Sequence, residues 1–361
     1  MTCTATRSAR HRFIPWLLCI PWLLCIAWLP AAWAGRAYVS NEDGNSVSVI
    51  DTQRGAVIAT IDVGKRPRGM KLDRAGKRLF VAVSGLPKCP PTVPDEECAK
   101  LERDMNADGI AIVDTASHKL LRVLAAGSDP EQFDLSADET RLFVANEDTG
   151  RASVVDIASG KIVAAIPVGA EPEGVVVAPD GKSVLVTSES EHAITIIDTH
   201  RLQAVRSVNV GQRPRDIAFT PDSGGAYVTG EFDASLYFIR LRGTEPGRLV
   251  LQLRKEARPM AVLLDAPRHR LYLSTGRGGT IAVVDTANAS NLKLVTEVPV
   301  GPRPWGIALS ADGKLLYTAN GPSNDVSVVD TSTFKVIQRI SVGRSPWGVV
   351  IGADHPIPQA R

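Results

Sequence analysis

The chain has 361 residues, of which 44% are hydrophobic and 5% aromatic, with 41 Lys and Arg against 39 Asp and Glu. That near-balance, with no Lys/Arg cluster, gives no footing for nucleic-acid binding. Five cysteines in such a length, none within a CxxCH pattern, exclude covalently attached haem.

The N-terminus reads as an export leader. Arg7, Arg10 and Arg12 are followed by an apolar run, Phe13–Leu29, containing IPWLLC twice, and by the small-x-small pattern Ala32, Trp33, Ala34. Cleavage after Ala34 would leave residues 35–361 as one domain and move the formal charge from +2 to −1. The alternative is a retained anchor, because the apolar run is long for a leader core. With cleavage the mature chain would have no membrane span, and a periplasmic or secreted location follows. Only Cys89 and Cys98 would then remain, and two cysteines in an exported chain point to one disulfide.

Three strands come first: AYVSN at 37–41, SVSVID at 46–51 and VIATIDVG at 57–64. Next comes a phrase, VGxxPxG, that recurs along the chain. Its prolines are Pro67, Pro130, Pro172, Pro214, Pro259, Pro304 and Pro346, spaced 63, 42, 42, 45, 45 and 42 apart. A period of 42–45 residues is that of a four-stranded propeller blade. Within each period a short strand leads to a turn such as APDG at 178–181 or SADG at 310–313. A second strand follows, then a third ending on Asp (GIAIVD at 109–114, ASVVD at 152–156, DVSVVD at 325–330), then a fourth such as Lys161–Pro167. Val, Ile and Thr dominate, and no helix-period segment interrupts them, so the fold is all-β. The blades are numbered here by the phrase that opens them, Pro67 for blade 1 to Pro346 for blade 7. Blade 7 has only its first strand, Gly348–Gly352, at the C-terminus; the three N-terminal strands supply the rest. Closing the circle in this way removes the two exposed sheet edges that an open array would present.

The long first step holds an insertion at 85–108, carrying Cys89 and Cys98. Within it Asp104, Asn106, Asp108 and Gly109 match the first half of an EF-hand loop. The twelfth position is Thr115 and a strand follows, so a full EF-hand is excluded. An irregular calcium site and a plain turn are the remaining readings. Blade 4 departs from the others, with Arg240 in place of the strand-ending Asp and a GTEPG excursion after it.

The recurring VGxxPxGxAxSxDGxxLYxAN…VSVVDT resembles the YVTN family of seven-bladed β-propellers across residues 37–353. The leader, the blade count and LPKCPPTVPDEECAKLERDMNADG at 86–109 are most similar to periplasmic propellers associated with pyrroloquinoline quinone (PQQ)-dependent alcohol catabolism. That resemblance implies a non-catalytic binding or accessory protein whose partner is a quinoprotein dehydrogenase or another periplasmic protein. It requires no cofactor, with PQQ or calcium as possible ligands. Some seven-bladed relatives are lactonases or dehydrogenase subunits, so a lactonase-like hydrolase acting at the channel mouth is the alternative.

In a propeller the phrase and the second-to-third strand turn surround one mouth of the central channel. The residues expected there are Arg66, Arg68, Glu171, Glu173, Arg213, Arg215, Arg258, Arg303, Trp305 and Trp347 from the phrases. The turns add Glu42, Glu147, Glu189, Glu231 and Arg277. Arginines can hold a carboxylated ligand or partner and tryptophans can stack on a flat ring; the alternative is an ordinary solvated rim of modest ion pairs. No catalytic residue is assigned. His118, His192, His200, His269 and His355 are scattered, and no nucleophile pattern accompanies them.

Overall fold

The structure, a computed structural model, describes residues 1–2, 4, 35–88, 95–98 and 100–352. Met1–Ala32 and Trp33–Arg361 are separate units, and the fold belongs to the second. Residues 3 and 5–34 of the leader, Cys89 and the last nine residues lie outside the described residues, and with them the cleavage point and the Cys89–Cys98 pairing. Among the described residues no helix is long and apolar enough to cross a membrane.

Seven four-stranded antiparallel sheets make a seven-bladed propeller, as the repeat predicts. Blade 7 is Pro346–Gly352 paired with Arg36–Asn41, followed by Ser46–Asp51 and Ala56–Asp62. The ring therefore closes with one C-terminal and three N-terminal strands. Apolar side chains fill the spaces between blades. Val47 and Val49 of blade 7 meet Leu79 and Val81 of blade 1, and Phe80 and Ile112 meet Leu142 and Val144 of blade 2. The outermost strands have one face in solvent, which leaves Leu121, Val163 and Ile337 exposed.

The strand-ending aspartates do what the sequence suggests. Asp51 Oδ1 accepts from the N–H groups of Gln53 and Arg54 (3.0 and 2.9 Å), and Asp198 and Asp330 repeat the pattern. Arg240 cannot accept such bonds, and its carbonyl instead receives Arg206 Nη2 at 2.5 Å.

Two backbone devices position the channel mouth. The residue before each phrase proline has φ between 43° and 56°: Arg66, Asp129, Glu171, Arg213, Arg258, Arg303 and Ser345. Left-handed backbone at a non-glycine costs of order 1–3 kcal/mol and needs support. In blades 2 to 7 the carbonyl of that residue receives an N–H from the second-to-third turn, at 2.9–3.4 Å. In the same blades the inner strand shifts register between the proline and the third residue after it. Such bulges re-aim side chains. Here the strand starts at the proline itself, earlier than the sequence indicates, and the residue just after it contributes to the channel wall.

Candidate functional site

The residues after the seven prolines are Arg68, Glu131, Glu173, Arg215, Met260, Trp305 and Trp347. Except for Met260, they line a cavity of about 470 Å³ at the mouth, together with Glu42, Arg66, Glu147, Arg213 and Arg303. A second chamber of about 240 Å³ continues along the inner strands, past Lys71 and Asp216. It shares Glu173, Arg215, Trp305 and Trp347 with the first.

The charges are sorted by blade. Blades 2 and 3 carry Asp129, Glu131, Glu147, Glu171, Glu173 and Glu189, while Arg213, Arg215, Arg258, Arg277 and Arg303 lie on blades 4 to 6. At one boundary Arg68, only 3% exposed, contacts Glu131, reaches Asp129 at 2.5 Å and lies 3.9 Å from Glu147. Burial opposes the charge on Asp129, but Arg68 and the Ser84 hydroxyl hold its carboxyl below the ordinary range. Glu147, whose side chain is 33% exposed, is pushed up by burial and by Asp129 against the pull of Arg68. Asp129, Glu131 and Glu147 are close enough to share a cation. The Arg68 guanidinium already meets that need.

At the other boundary three carboxylates share two guanidiniums. Arg215 contacts Glu173 and Glu189 and lies 2.7 Å from Glu231. Arg213 Nε lies 2.7 Å from Glu189 and 3.4 Å from Glu231. Glu189 is 2% exposed and its oxygens have no aligned hydrogen bond, so these contacts are ionic. Burial pushes its carboxyl up to about 8, with Glu147, Glu171 and Glu231 adding to the effect against Arg213. The cluster retains a proton near neutrality. This corrects the picture of a solvated rim: Arg68, Glu173, Glu189, Arg215 and Glu231 are all buried.

Blades 5 to 7 differ. Trp305 and Trp347, at equivalent positions of adjacent blades, stack at 5.3 Å with 27° between planes. Arg303 lies over Trp305 at 5.2 Å, and Arg215 approaches the same ring at 5.7 Å. Among the described residues Arg303 forms no ion pair. Burial and then Arg215 lower its pKa, against the pull of Glu231 and Glu42, which act without contact. Arg258 and Arg213 flank the exposed ring of Phe232, at 4.7 and 5.0 Å. Trp305 and the buried Trp347 thus place a stacked indole pair beside a cation that contacts no carboxylate.

Four contributors escaped the sequence reading. Asp129 and Glu131 flank Pro130 as Arg66 and Arg68 flank Pro67, so the alignment of phrases carried their signal. Lys88 in the insertion and Phe232 in the blade 4 turn had no such repeat signal. The calcium motif is engaged locally. Asp104 meets Lys65 at 2.8 Å and accepts from Asn106 N–H, while Asp108 meets Arg103 at 2.8 Å and accepts from Gly85 N–H. These are the contacts of a capped turn. His192 Nδ1 lies 2.8 Å from the Glu189 carbonyl oxygen and 3.2 Å from Arg213 N; it donates to the first in one tautomer or accepts from the second in the other, and in either case serves the local backbone.

The fold and mouth define a seven-bladed β-propeller with a charged, aromatic-walled channel entrance. Residues 107–224 match the family model described as YNCE-like beta-propeller, and residues 172–336 match that of Lactonase, 7-bladed beta-propeller. No curated protein sequence matches the chain. Similar solved structures include hydrazine synthase from Kuenenia stuttgartiensis (20% identity, TM-score 0.69, 82% of this chain and 92% of that one). A periplasmic gluconolactonase from Pseudomonas aeruginosa is similar at 20% identity and TM-score 0.68, over 89% and 99% of the two chains. A protein from Lactobacillus plantarum reaches TM-score 0.73 at 15% identity, over 89% and 100%. At these identities the likeness is one of fold.

Proposed function

We propose that the channel mouth binds a small, flat organic anion, and that the protein is an exported, non-catalytic binding component of a quinoprotein alcohol-oxidation system. The observation that carries the first part is Arg303. The other phrase arginines of the cavity, Arg66, Arg68, Arg213 and Arg215, all contact carboxylates, whereas Arg303 contacts none among the described residues and lies over the face of Trp305. A carboxylate can pair with its guanidinium while a ring lies along the two indoles. A cavity near 470 Å³ is in the range of small-molecule sites. The second part is supported by the YVTN-type repeats, the leader and the blade 1 insertion. PQQ, a planar polycarboxylate, fits the donor set of Arg303 and two indoles.

The test is calorimetric titration of the purified protein with PQQ, benzoate and neutral benzamide, with affinity capture from the native periplasm to identify the dehydrogenase. The carboxylates should bind and benzamide should not, and Arg303→Ala should weaken binding about 10- to 100-fold, the worth of a charge-assisted pair. Equal binding of benzoate and benzamide, or an unaffected Arg303→Ala variant, would overturn the anion reading. Failure to capture a dehydrogenase would overturn its placement.

Lactone hydrolysis is the second reading, favoured by the lactonase match over 172–336 and by Glu147. Its carboxyl is open to the cavity and raised by burial, the condition of a general acid or base that works near neutrality. Turnover of aldonolactones that Glu147→Gln abolishes would establish it; turnover unchanged in that variant would not.

A further inference from the structure

We infer that the anion taken by the mouth is a dicarboxylate, gripped at one end by Arg303 and at the other by Lys88, which the blade 1 insertion delivers to the cavity. This rests on the anion-binding reading and adds the chemical class of the ligand. Other blades join their second and third strands by a short turn, such as residues 147–150 of blade 2; blade 1 uses 84–108.

The extra chain is tied down on both flanks. Arg66 Nη1 donates to the Leu86 carbonyl at 2.5 Å, and Lys65 pairs with Asp104 at 2.8 Å. Arg103 contacts Asp148 of blade 2. Lys88 Nζ reaches back to blade 7, 3.0 Å from Glu42 Oε2 and 3.2 Å from Asp43 Oδ1, and lines the cavity that Arg303 also lines.

Lys88 is the cation that can move. Its side chain is 42% exposed, and exposed ion pairs hold weakly. Glu42 would not be orphaned by its departure, because Arg66 Nε and Nη2 donate to Glu42 Oε1 at 3.2 and 3.0 Å. Asp43 would keep the Ser345 hydroxyl. Arg68 and Arg215, by contrast, are each committed to buried carboxylates whose desolvation they offset.

Among the described residues the mouth thus offers two available cations: Arg303 on blade 6 and Lys88 against blade 7. Trp305 of blade 6 and Trp347 of blade 7 form the wall on that side. Two charges beside a stacked indole pair fit a compact aromatic molecule that carries two carboxylates. A monocarboxylate would occupy Arg303 and leave Lys88 with Glu42.

The experiment is calorimetric titration of the full chain with benzoate and with benzene-1,2-, 1,3- and 1,4-dicarboxylate. Thermal melts would check that each variant folds. In the parent the best dicarboxylate should bind at least about 10-fold more tightly than benzoate. Lys88→Ala should lose that excess and keep its benzoate affinity, Lys88→Arg should restore it, and Arg303→Ala should weaken every acid. If benzoate binds through Arg303 and no dicarboxylate binds better, or if the excess survives in Lys88→Ala, the dicarboxylate inference is overturned while the anion reading stands. If no acid binds, both are overturned.

Discussion

Glu189 makes the folded protein sensitive to pH in a window where most carboxylates are silent. Glu173, Glu189 and Glu231 share Arg213 and Arg215 in a buried wall, one negative charge too many for two cations. Burial therefore raises Glu189 from an ordinary 4.5 to about 8. Between those values the folded state holds a proton that the unfolded chain releases. Stability is then greatest at the acid end of the window and falls as pH rises toward 8. One proton gives a slope of at most about 1.4 kcal/mol per pH unit, so pH 5 to 8 spans a ceiling of about 4 kcal/mol. That is a large share of the 5–15 kcal/mol typical of a domain. Glu189→Gln keeps the shape without the titrating charge. It should match the parent near pH 5 and exceed it near pH 8 by of order 2–4 kcal/mol. Glu147 is also raised and works in the same direction, so any slope left in Glu189→Gln should disappear on adding Glu147→Gln. Asp129 is lowered, and its contribution is lost only on acidification below the ordinary carboxylate range, outside this window. Urea midpoints at pH 5, 6, 7 and 8 decide the matter. A parent midpoint that stays flat or rises, or a Glu189→Gln protein weaker than the parent at pH 8, would refute the reasoning.

Three further outcomes follow from the same structure. Arg68→Met should destabilise by about 3–5 kcal/mol in urea unfolding, because it leaves Asp129 and Glu131 buried without their cation; a loss below about 0.5 kcal/mol would show that these acids accept protons freely instead. Deleting residues 345–361 removes the first strand of blade 7 and bares the edge of Arg36–Asn41, so the protein should aggregate or unfold without cooperativity; a melt like the parent's would contradict the closure. We propose that Cys89 and Cys98 are paired in exported material. Mass spectrometry after alkylation without reduction should find neither thiol modified, and two labelled thiols would dismiss the pairing.

The architecture was legible because the blades repeat nearly the same period and, except for Arg240 in blade 4, the same strand-ending aspartate. Even the closure could be read, as one strand lacking at one end and three at the other. Burial at the mouth could not. In the sequence Arg68 and Arg215 sit in a polar phrase between strands, as solvated link residues do. The register shift after each proline and the left-handed residue before it bring the next side chain into the channel wall. Neither device leaves a residue signature beyond the proline. Arg68 meets Asp129 and Glu131 some sixty positions away, a pairing outside any local window.

Repetition itself explains why the available charge collects where it does. Equivalent positions of adjacent blades are neighbours in space, so two tryptophans one period apart must stack, and Trp305 and Trp347 do. By the same rule, acids in successive phrases crowd together on blades 2 and 3, where burial makes their charge costly. The arginines at the two ends of that arc, Arg68 and Arg215, are held by it, and Glu189 keeps a proton where cations run short. Arg303 stands on blade 6, away from the acids of blades 2 and 3; Glu231 and Glu42 act on it without contact, and an indole face is its near neighbour. Arg303 is exposed to solvent and contacts no carboxylate, so an anion can pair with it without first breaking an ion pair, which is why the binding energy of this site should reside there.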